Sequence, residues 1–87
     1  SREVEEVLRA HPAVDDCAVI GLPDAHWGER VSAVVVPSTE VADETLEAHC
    51  RQSLAGYKTP RRWLRVQALP LNAAGKVDKP ALRRQFG

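Results

Sequence analysis

The sequence predicts an α+β domain in which a small three-stranded sheet packs against about three helices. Two short apolar runs rich in β-forming residues, Cys17–Leu22 and Val31–Val36, predict buried strands. Segments with apolar residues at helical spacing precede, separate and follow the strand-forming segments. With 87 residues the chain is long enough for one domain. The predicted order α-β-β-α-β-α favours a single sheet with helices on one or both of its faces.

The first helix is predicted over residues 3–10. Val4, Val7 and Leu8 recur at the i, i+3, i+4 spacing of one helical face. The glutamates in this segment are favourably placed near the N-terminal end of the helix dipole. Pro12 predicts the end of the helix, because the residue before a proline disfavours helical backbone.

A second helix is predicted from an N-cap at Asp43 through Leu54, because apolar positions between them recur every four residues. Gly56 stands where a left-handed C-cap belongs. The roughly alternating segment 63–66 predicts a third strand at an edge of the sheet.

The C-terminal part of the chain is predicted to be a connector, residues 69–75, followed by a last helix. Asp78 is the expected N-cap of this helix, and Pro80 suits its first turn. Leu82 and Phe86 are four residues apart, so they share a helical face.

The formal net charge of zero hides a strong segregation of charge along the sequence. Up to Cys50 three basic residues stand against eleven acidic ones, whereas the remainder holds nine basic residues and a single acidic one, Asp78. The basic half keeps open a remote alternative, a small nucleic-acid-binding module. No apolar run approaches the roughly 20 residues of a membrane-spanning helix, and no signal-peptide pattern is present, so we expect a cytoplasmic protein.

The cysteines and histidines do not have the spacing of a metal site or a disulfide framework. Cys17 and Cys50 are 33 positions apart without a CxxC pair, and we expect both to be buried thiols. The three histidines have no metal-ligand spacing between them. The sequence therefore predicts no metal site.

Two features of the basic half are candidates for chemistry. Gly75 precedes Lys76 in the connector, where a flexible backbone and a long cationic side chain can deliver an ammonium to a phosphate. Tyr57 lies beside Lys58 and Arg61, which suits a ligand with a stackable base and phosphates. A structural explanation fits the same residues: the turn charges are solvated, and the aromatic ring packs under the aliphatic stems of the basic side chains. The sequence contains neither a P-loop nor a GxGxxG fingerprint.

Four strings in this order then carry a resemblance across essentially the whole chain: Glu3–Val14, Pro23–Arg30, Gly56–Pro60 and Leu69–Lys76. Together they resemble the C-terminal domain of the adenylate-forming superfamily, which includes acyl- and aryl-CoA ligases, nonribosomal-peptide adenylation domains and firefly luciferase. Ser1 departs from the pattern, because the family usually has a proline there. The hinge and the Gly-rich loop lie upstream in relatives and are not in this sequence.

The resemblance implies an enzyme that joins a carboxylic acid to AMP, with release of pyrophosphate from ATP, and then passes the acyl group to a thiol. Residues 1–87 would be its C-terminal mobile lid domain, which rotates against a much larger N-terminal domain to present different faces for the two steps. The implied small molecules are the acid, coenzyme A and ATP, with Mg²⁺ accompanying the nucleotide rather than bound by this domain. The fragment alone is expected to be inactive.

The resemblance also implies roles for individual residues. Lys76 matches the catalytic lysine of adenylation, and Gly75 gives its loop reach. A positioned ammonium offsets the negative charge of carboxylate and phosphate at the transition state. The positions that match the CoA-binding residues of CoA ligases are Trp27, Tyr57, Lys58, Thr59 and Arg61.

Two branches of the superfamily fit different parts of the sequence. The segments 26–30 and 49–58 look more like acyl-CoA ligases, of which fatty-acid–CoA ligases are one group. The segment 69–79 is equally like a nonribosomal-peptide adenylation domain, whose acceptor is a carrier protein. We favour the acyl-CoA ligase and keep the carrier-protein enzyme as the alternative.

Overall fold

The computed structural model describes residues 2–25 and 28–86, with the side chains of Asp24 and Tyr57 outside this description. The elements in chain order are α1 (Arg2–Arg9), β1 (Val14–Asp24), β2 (Gly28–Pro37), α2 (Asp43–Ser53), a 3₁₀ turn (Gly56–Lys58), β3 (Arg62–Arg65) and α3 (Lys79–Phe86). The predicted class and element order are confirmed. Among the helices of the described part, none is long and apolar enough to cross a membrane.

The sheet has the order β1-β2-β3, with β2 in the centre. β1 and β2 form an antiparallel hairpin, whereas β2 and β3 run parallel. A parallel pair needs a crossover connection, and α2 provides it. β3 is an edge strand, as predicted. The strands β1 and β2 extend beyond the predicted apolar runs, because the hairpin ladder continues into their polar ends.

The core occupies both faces of the sheet. Alternate residues of β1 and β2 contribute to two separate clusters, as the two-residue period of a strand requires. One cluster packs under α1 and α2, and its buried strand members are Val14, Cys17, Val19, Ala33 and Val35. The other packs under α3, around the fully buried Leu82. The continuous apolar runs in the sequence are therefore strands that are covered on both sides.

The free edge of β1 is covered by side chains of α1 and of β1 itself. Glu5 Oε2 accepts the Val19 N–H at 2.8 Å, and Arg9 Nη2 donates to the Cys17 carbonyl at 3.1 Å. The Cys17 N–H donates to Asp16 Oδ1 at 2.8 Å. Unpaired edge groups invite pairing with another chain, and these contacts occupy three of them.

The predicted caps of the second helix are wrong at both ends. Asp43 is the first helical residue, and the N-cap is Ala42, which makes no side-chain capping bond. The Asp43 carboxylate is instead bound by Arg65 on β3. At the other end Leu54 is the C-cap in extended backbone (φ −123°, ψ 149°), and Gly56 starts the 3₁₀ turn rather than a left-handed cap. Burial of the Leu54 side chain in the core accounts for this exit from the helix.

The predicted start of the last helix is confirmed. The Ala81 N–H donates to Asp78 Oδ1 at 3.1 Å, which is the bond of an N-cap. Leu82 and Phe86 both pack into the cluster under α3. The N-cap of this helix thus lies two residues after Lys76.

Candidate functional site

A tight turn presents Gly75 and Lys76. Leu71 and Val77 form an isolated antiparallel bridge, and the Asn72 N–H donates to the Lys76 carbonyl at 2.8 Å. The Gly75 N–H donates back to the Asn72 carbonyl at 3.0 Å. Gly75 has φ +79°, a left-handed conformation that glycine adopts without strain. These bonds are those of a short hairpin loop that ends in a left-handed glycine.

The Asn72 side chain fixes the backbone of this turn. Its Oδ1 accepts the Ala74 N–H at 2.9 Å and the Lys76 N–H at 3.1 Å. No role of Asn72 is predicted from the sequence. The available signal was an asparagine three residues before a glycine, a pattern that is typical of tight turns. The backbone of Lys76 is therefore held from both sides, by a main-chain and a side-chain partner.

The Lys76 side chain points to solvent from this fixed backbone. The residue is exposed, and within residues 2–25 and 28–86 its ammonium has no carboxylate partner. Lys79, three residues later, is bound to Glu5 at 3.0 Å. The neighbouring Leu71 is the one large apolar residue in the described part that is strongly exposed, at 63%. The turn thus offers an available cation beside an apolar side chain.

The second candidate region is the segment 56–61 between α2 and β3. Its backbone is tied to the sheet, because the Arg61 N–H donates to the Val31 carbonyl at 2.9 Å. A surface groove of about 330 Å³ lies against it, and α2 forms the other wall. Thr59 and Arg61 line this groove with Trp63. Thr59 is buried, and its hydroxyl has no hydrogen-bond partner in the described part of the chain.

Of the other predicted CoA-binding residues, Lys58 forms an ion pair with a glutamate of α1. Lys58 Nζ contacts Glu3 Oε1 at 2.8 Å, and its side chain remains 41% exposed. The side chain of Tyr57 and the whole of Trp27 lie outside the described residues. Of the five predicted CoA-binding residues, the structure therefore describes the side chains of three, Lys58, Thr59 and Arg61, which lie in one segment.

The turn and the groove lie on opposite faces of the sheet. Val77, next to Lys76, packs against the cluster under α3. The groove is walled by α2, and its lining residue Trp63 packs against the cluster under α1 and α2. The sheet thus separates Lys76 from Thr59 and Arg61.

The segregated charges meet in space. Among the described residues, four ion pairs join a carboxylate of the acidic half to a cation of the basic half: Glu3–Lys58, Glu5–Lys79, Glu47–Arg51 and Asp43–Arg65. The charge segregation along the sequence is therefore used in part to hold the two halves together. Because these cations are paired, the segregation along the sequence is not by itself evidence for a one-sided basic surface for nucleic acid.

The cysteines are buried, as predicted. Both are free thiols, and burial raises the pKa of Cys17 and of Cys50 to about 11. A thiol with such a pKa carries almost no thiolate at neutral pH, so neither is suited to act as a nucleophile. Over the described ranges no three His, Cys, Asp or Glu residues are grouped to hold a metal ion.

Comparison with known proteins finds one family and many relatives over this chain. A family model described as the AMP-binding enzyme C-terminal domain matches residues 3–76. A 4-chlorobenzoate–CoA ligase of Arthrobacter sp. is 48% identical over 88 residues, which cover 100% of this chain and 17% of that protein.

Solved structures also match this chain over nearly its whole length. A fatty acyl CoA synthetase of Mycobacterium tuberculosis matches with a TM-score of 0.91 and 41% identity, over 97% of this chain and 17% of that one. ATP-bound MatB of Rhodopseudomonas palustris matches with a TM-score of 0.91 and 36% identity, over 98% of this chain and 17% of that one. The chain thus spans about one sixth of the length of these relatives.

Proposed function

Because this chain belongs to the family of AMP-binding enzyme C-terminal domains, we propose that it is the lid domain of a longer, AMP-forming acid–thiol ligase. The ligase activates a carboxylic acid with ATP and transfers the acyl group to coenzyme A. The CoA ligases among the relatives support this reading of the acceptor. The large domain that binds most of the acid and the nucleotide corresponds to the five sixths of the relatives that this chain does not cover.

The proposed catalytic residue is Lys76. In adenylation a carboxylate oxygen bonds to the α-phosphorus of ATP, and the bond from that phosphorus to pyrophosphate breaks. Negative charge from both reactants meets at one place, so a positioned ammonium lowers the barrier by about 3 kcal/mol. The observation that carries this role is the exposed Lys76 ammonium on a turn whose backbone is fixed by Asn72. A lysine already paired within the domain would be less available to the reactants.

The proposed acceptor site is the segment 56–61 on the other face. Lys58 and Arg61 would meet the phosphates of CoA, and Trp27 and Tyr57 would stack on its adenine. Lys58 would exchange the Glu3 carboxylate for a phosphate, which costs little because the pair is exposed. The placement of this segment and the Lys76 turn on opposite faces supports a lid that rotates between the two half-reactions.

The relatives are named for carboxylic acids of different classes. The relatives include an enzyme named for an aromatic acid, at 48% identity, and one named for fatty acids, at 41% identity. Identity over the lid does not rank the two classes, because in our proposal the acid pocket belongs to the large domain and not to the lid. We propose only a carboxylic acid, with aromatic and long-chain fatty acids as the first classes to assay.

The test uses the full-length protein that carries this chain. With ATP, Mg²⁺ and an acid panel, it should release pyrophosphate and form an acyl-AMP, and addition of CoA should yield the thioester and AMP. A protein that adenylates an acid but loads only a carrier-protein phosphopantetheine would establish the alternative acceptor. A protein that forms no acyl-AMP from any aromatic or aliphatic acid would contradict the proposed function.

A further inference from the structure

The Glu5 carboxylate lies at the free edge of β1, where it links the two faces of the sheet. Glu5 belongs to α1, which covers one face, and its Oε2 accepts the Val19 N–H at 2.8 Å. The same oxygen contacts Lys79 Nζ at 3.0 Å, on the helix that covers the other face. The Glu5 side chain is only 12% exposed and that of Lys79 is 33% exposed. This pair is therefore better shielded from solvent than the exposed pair between Glu6 and Arg2 on the same helix.

The environment keeps Glu5 ionised. Burial raises the pKa of Glu5, but the bond from Val19 and the ammonium of Lys79 outweigh burial and leave this pKa below its usual value. A carboxyl whose pKa is lowered by folding stabilises the native state above its unfolded pKa of about 4.3. This stabilisation is lost as the pH falls through the lower native pKa, so the contact is intact across the pH range in which such an enzyme would be assayed.

Lys79 is coupled to Lys76 through a short and well-bonded stretch of backbone. The Asp78 N–H donates to the Pro70 carbonyl at 2.8 Å, and Asp78 also caps α3. The Leu71–Val77 bridge closes the turn directly before it. A shift of the first turn of α3 is thus transmitted to the Lys76 turn, because only Val77 and Asp78 separate the two and both are bonded within the fold.

We propose that Glu5, through its contact with Lys79, is a positioning residue that sets where the Lys76 ammonium stands during adenylation. This inference rests on the proposed function of Lys76. The other end of α3 is anchored by apolar packing of Leu82 and Phe86. Such packing fixes how far the helix lies from the sheet, whereas a directional contact at its first residue fixes its rotation and register. Misplacement of a catalytic group by about 1 Å can cost as much as a hundredfold in rate.

The experiment measures both half-reactions of the full-length ligase in single turnovers. Glu5→Gln keeps an oxygen that can accept the Val19 N–H but removes the charge that attracts Lys79. We expect Glu5→Gln and Lys79→Gln each to slow acyl-adenylate formation by about tenfold or more at saturating ATP and acid. Thioester formation from supplied acyl-adenylate should stay within about twofold, because it uses the other face.

Three further variants separate positioning from plain stability. The double variant Glu5→Gln/Lys79→Gln should be no slower than the worse single variant, since the two residues act through one contact. Lys79→Arg should retain most of the adenylation rate. Glu6→Gln is the matched control on the same helix, and it should leave both half-reactions unchanged because the Glu6 contact with Arg2 is solvent-exposed.

Each contrary outcome has a distinct meaning. Equal loss of both half-reactions in Glu5→Gln and Lys79→Gln would overturn the inference and assign the pair to general stability. Unchanged adenylation in these variants, with adenylation abolished in Lys76→Ala, would overturn the inference and leave the proposed function intact. Full adenylation in Lys76→Ala would overturn both, because Glu5 would then have no catalytic group to position.

Discussion

Gly75 gives the sharpest test of the turn that presents Lys76. Its φ of +79° lies in the left-handed region, and a Cβ built on it meets no heavy atom within 4 Å. Gly75→Ala therefore adds backbone strain without a steric clash, at a cost of about 1–2 kcal/mol. For a domain of this size each kcal/mol lowers the Tm by roughly 4–8 °C. The variant can relieve the strain only by changing the turn, which moves Lys76.

The chain also offers a matched control for this variant. Gly28 has φ +77°, and a Cβ there likewise meets nothing within 4 Å, but it lies in the β1–β2 hairpin away from the turn. Thermal unfolding of the 87-residue chain and acyl-adenylate formation by the full-length ligase are the two assays. Gly28→Ala and Gly75→Ala should lose similar stability, whereas only Gly75→Ala should slow adenylation. Equal adenylation rates in the two variants would show that the geometry of the turn does not set the position of Lys76.

Two other predictions concern the thiols and the proposed CoA site. Cys17 and Cys50, with pKa values of about 11, should resist a thiol-specific disulfide reagent at pH 8 in the native chain and both react in denaturant, and rapid native reaction would contradict their burial. The double reversal Lys58→Glu/Arg61→Glu should raise the KM for CoA about tenfold or more and leave ATP–pyrophosphate exchange intact, because each lost phosphate contact removes a charge-assisted bond. Arg84→Glu, an exposed charge on α3, is the control, and an unchanged KM for CoA in the double variant would remove both residues from the site.

The elements that could be predicted are those in which local pattern and tertiary packing agree. The apolar runs became the buried parts of β1 and β2, and Asp78 capped the last helix, because each signal lies within a few residues of its effect. The caps at Asp43 and Gly56 were wrong for the opposite reason. Asp43 is bound by a residue 22 positions away, and burial of Leu54 decides how the helix ends.

The same distinction applies to the candidate site. Lys76 and the basic segment around Lys58 each lie in a short continuous motif, so the sequence alone could identify them as candidates. Their roles stay predictions. The contact between Glu5 and Lys79 joins residues from opposite ends of the chain and depends on how two helices meet at one strand edge. No local pattern carries that information. The charge segregation is the one sequence feature related to such contacts, because it places the opposite charges that pair across the fold in different halves of the chain.

The role of Lys76 is measured most directly by the pair of half-reactions in Lys76→Ala of the full-length protein. We predict that acyl-adenylate formation falls by about a hundredfold or more, the usual cost of removing one charge-stabilising group. Thioester formation from supplied acyl-adenylate and CoA should be largely retained. Equal loss of both half-reactions, or no loss of adenylation, would contradict the assignment of Lys76 as the adenylation lysine.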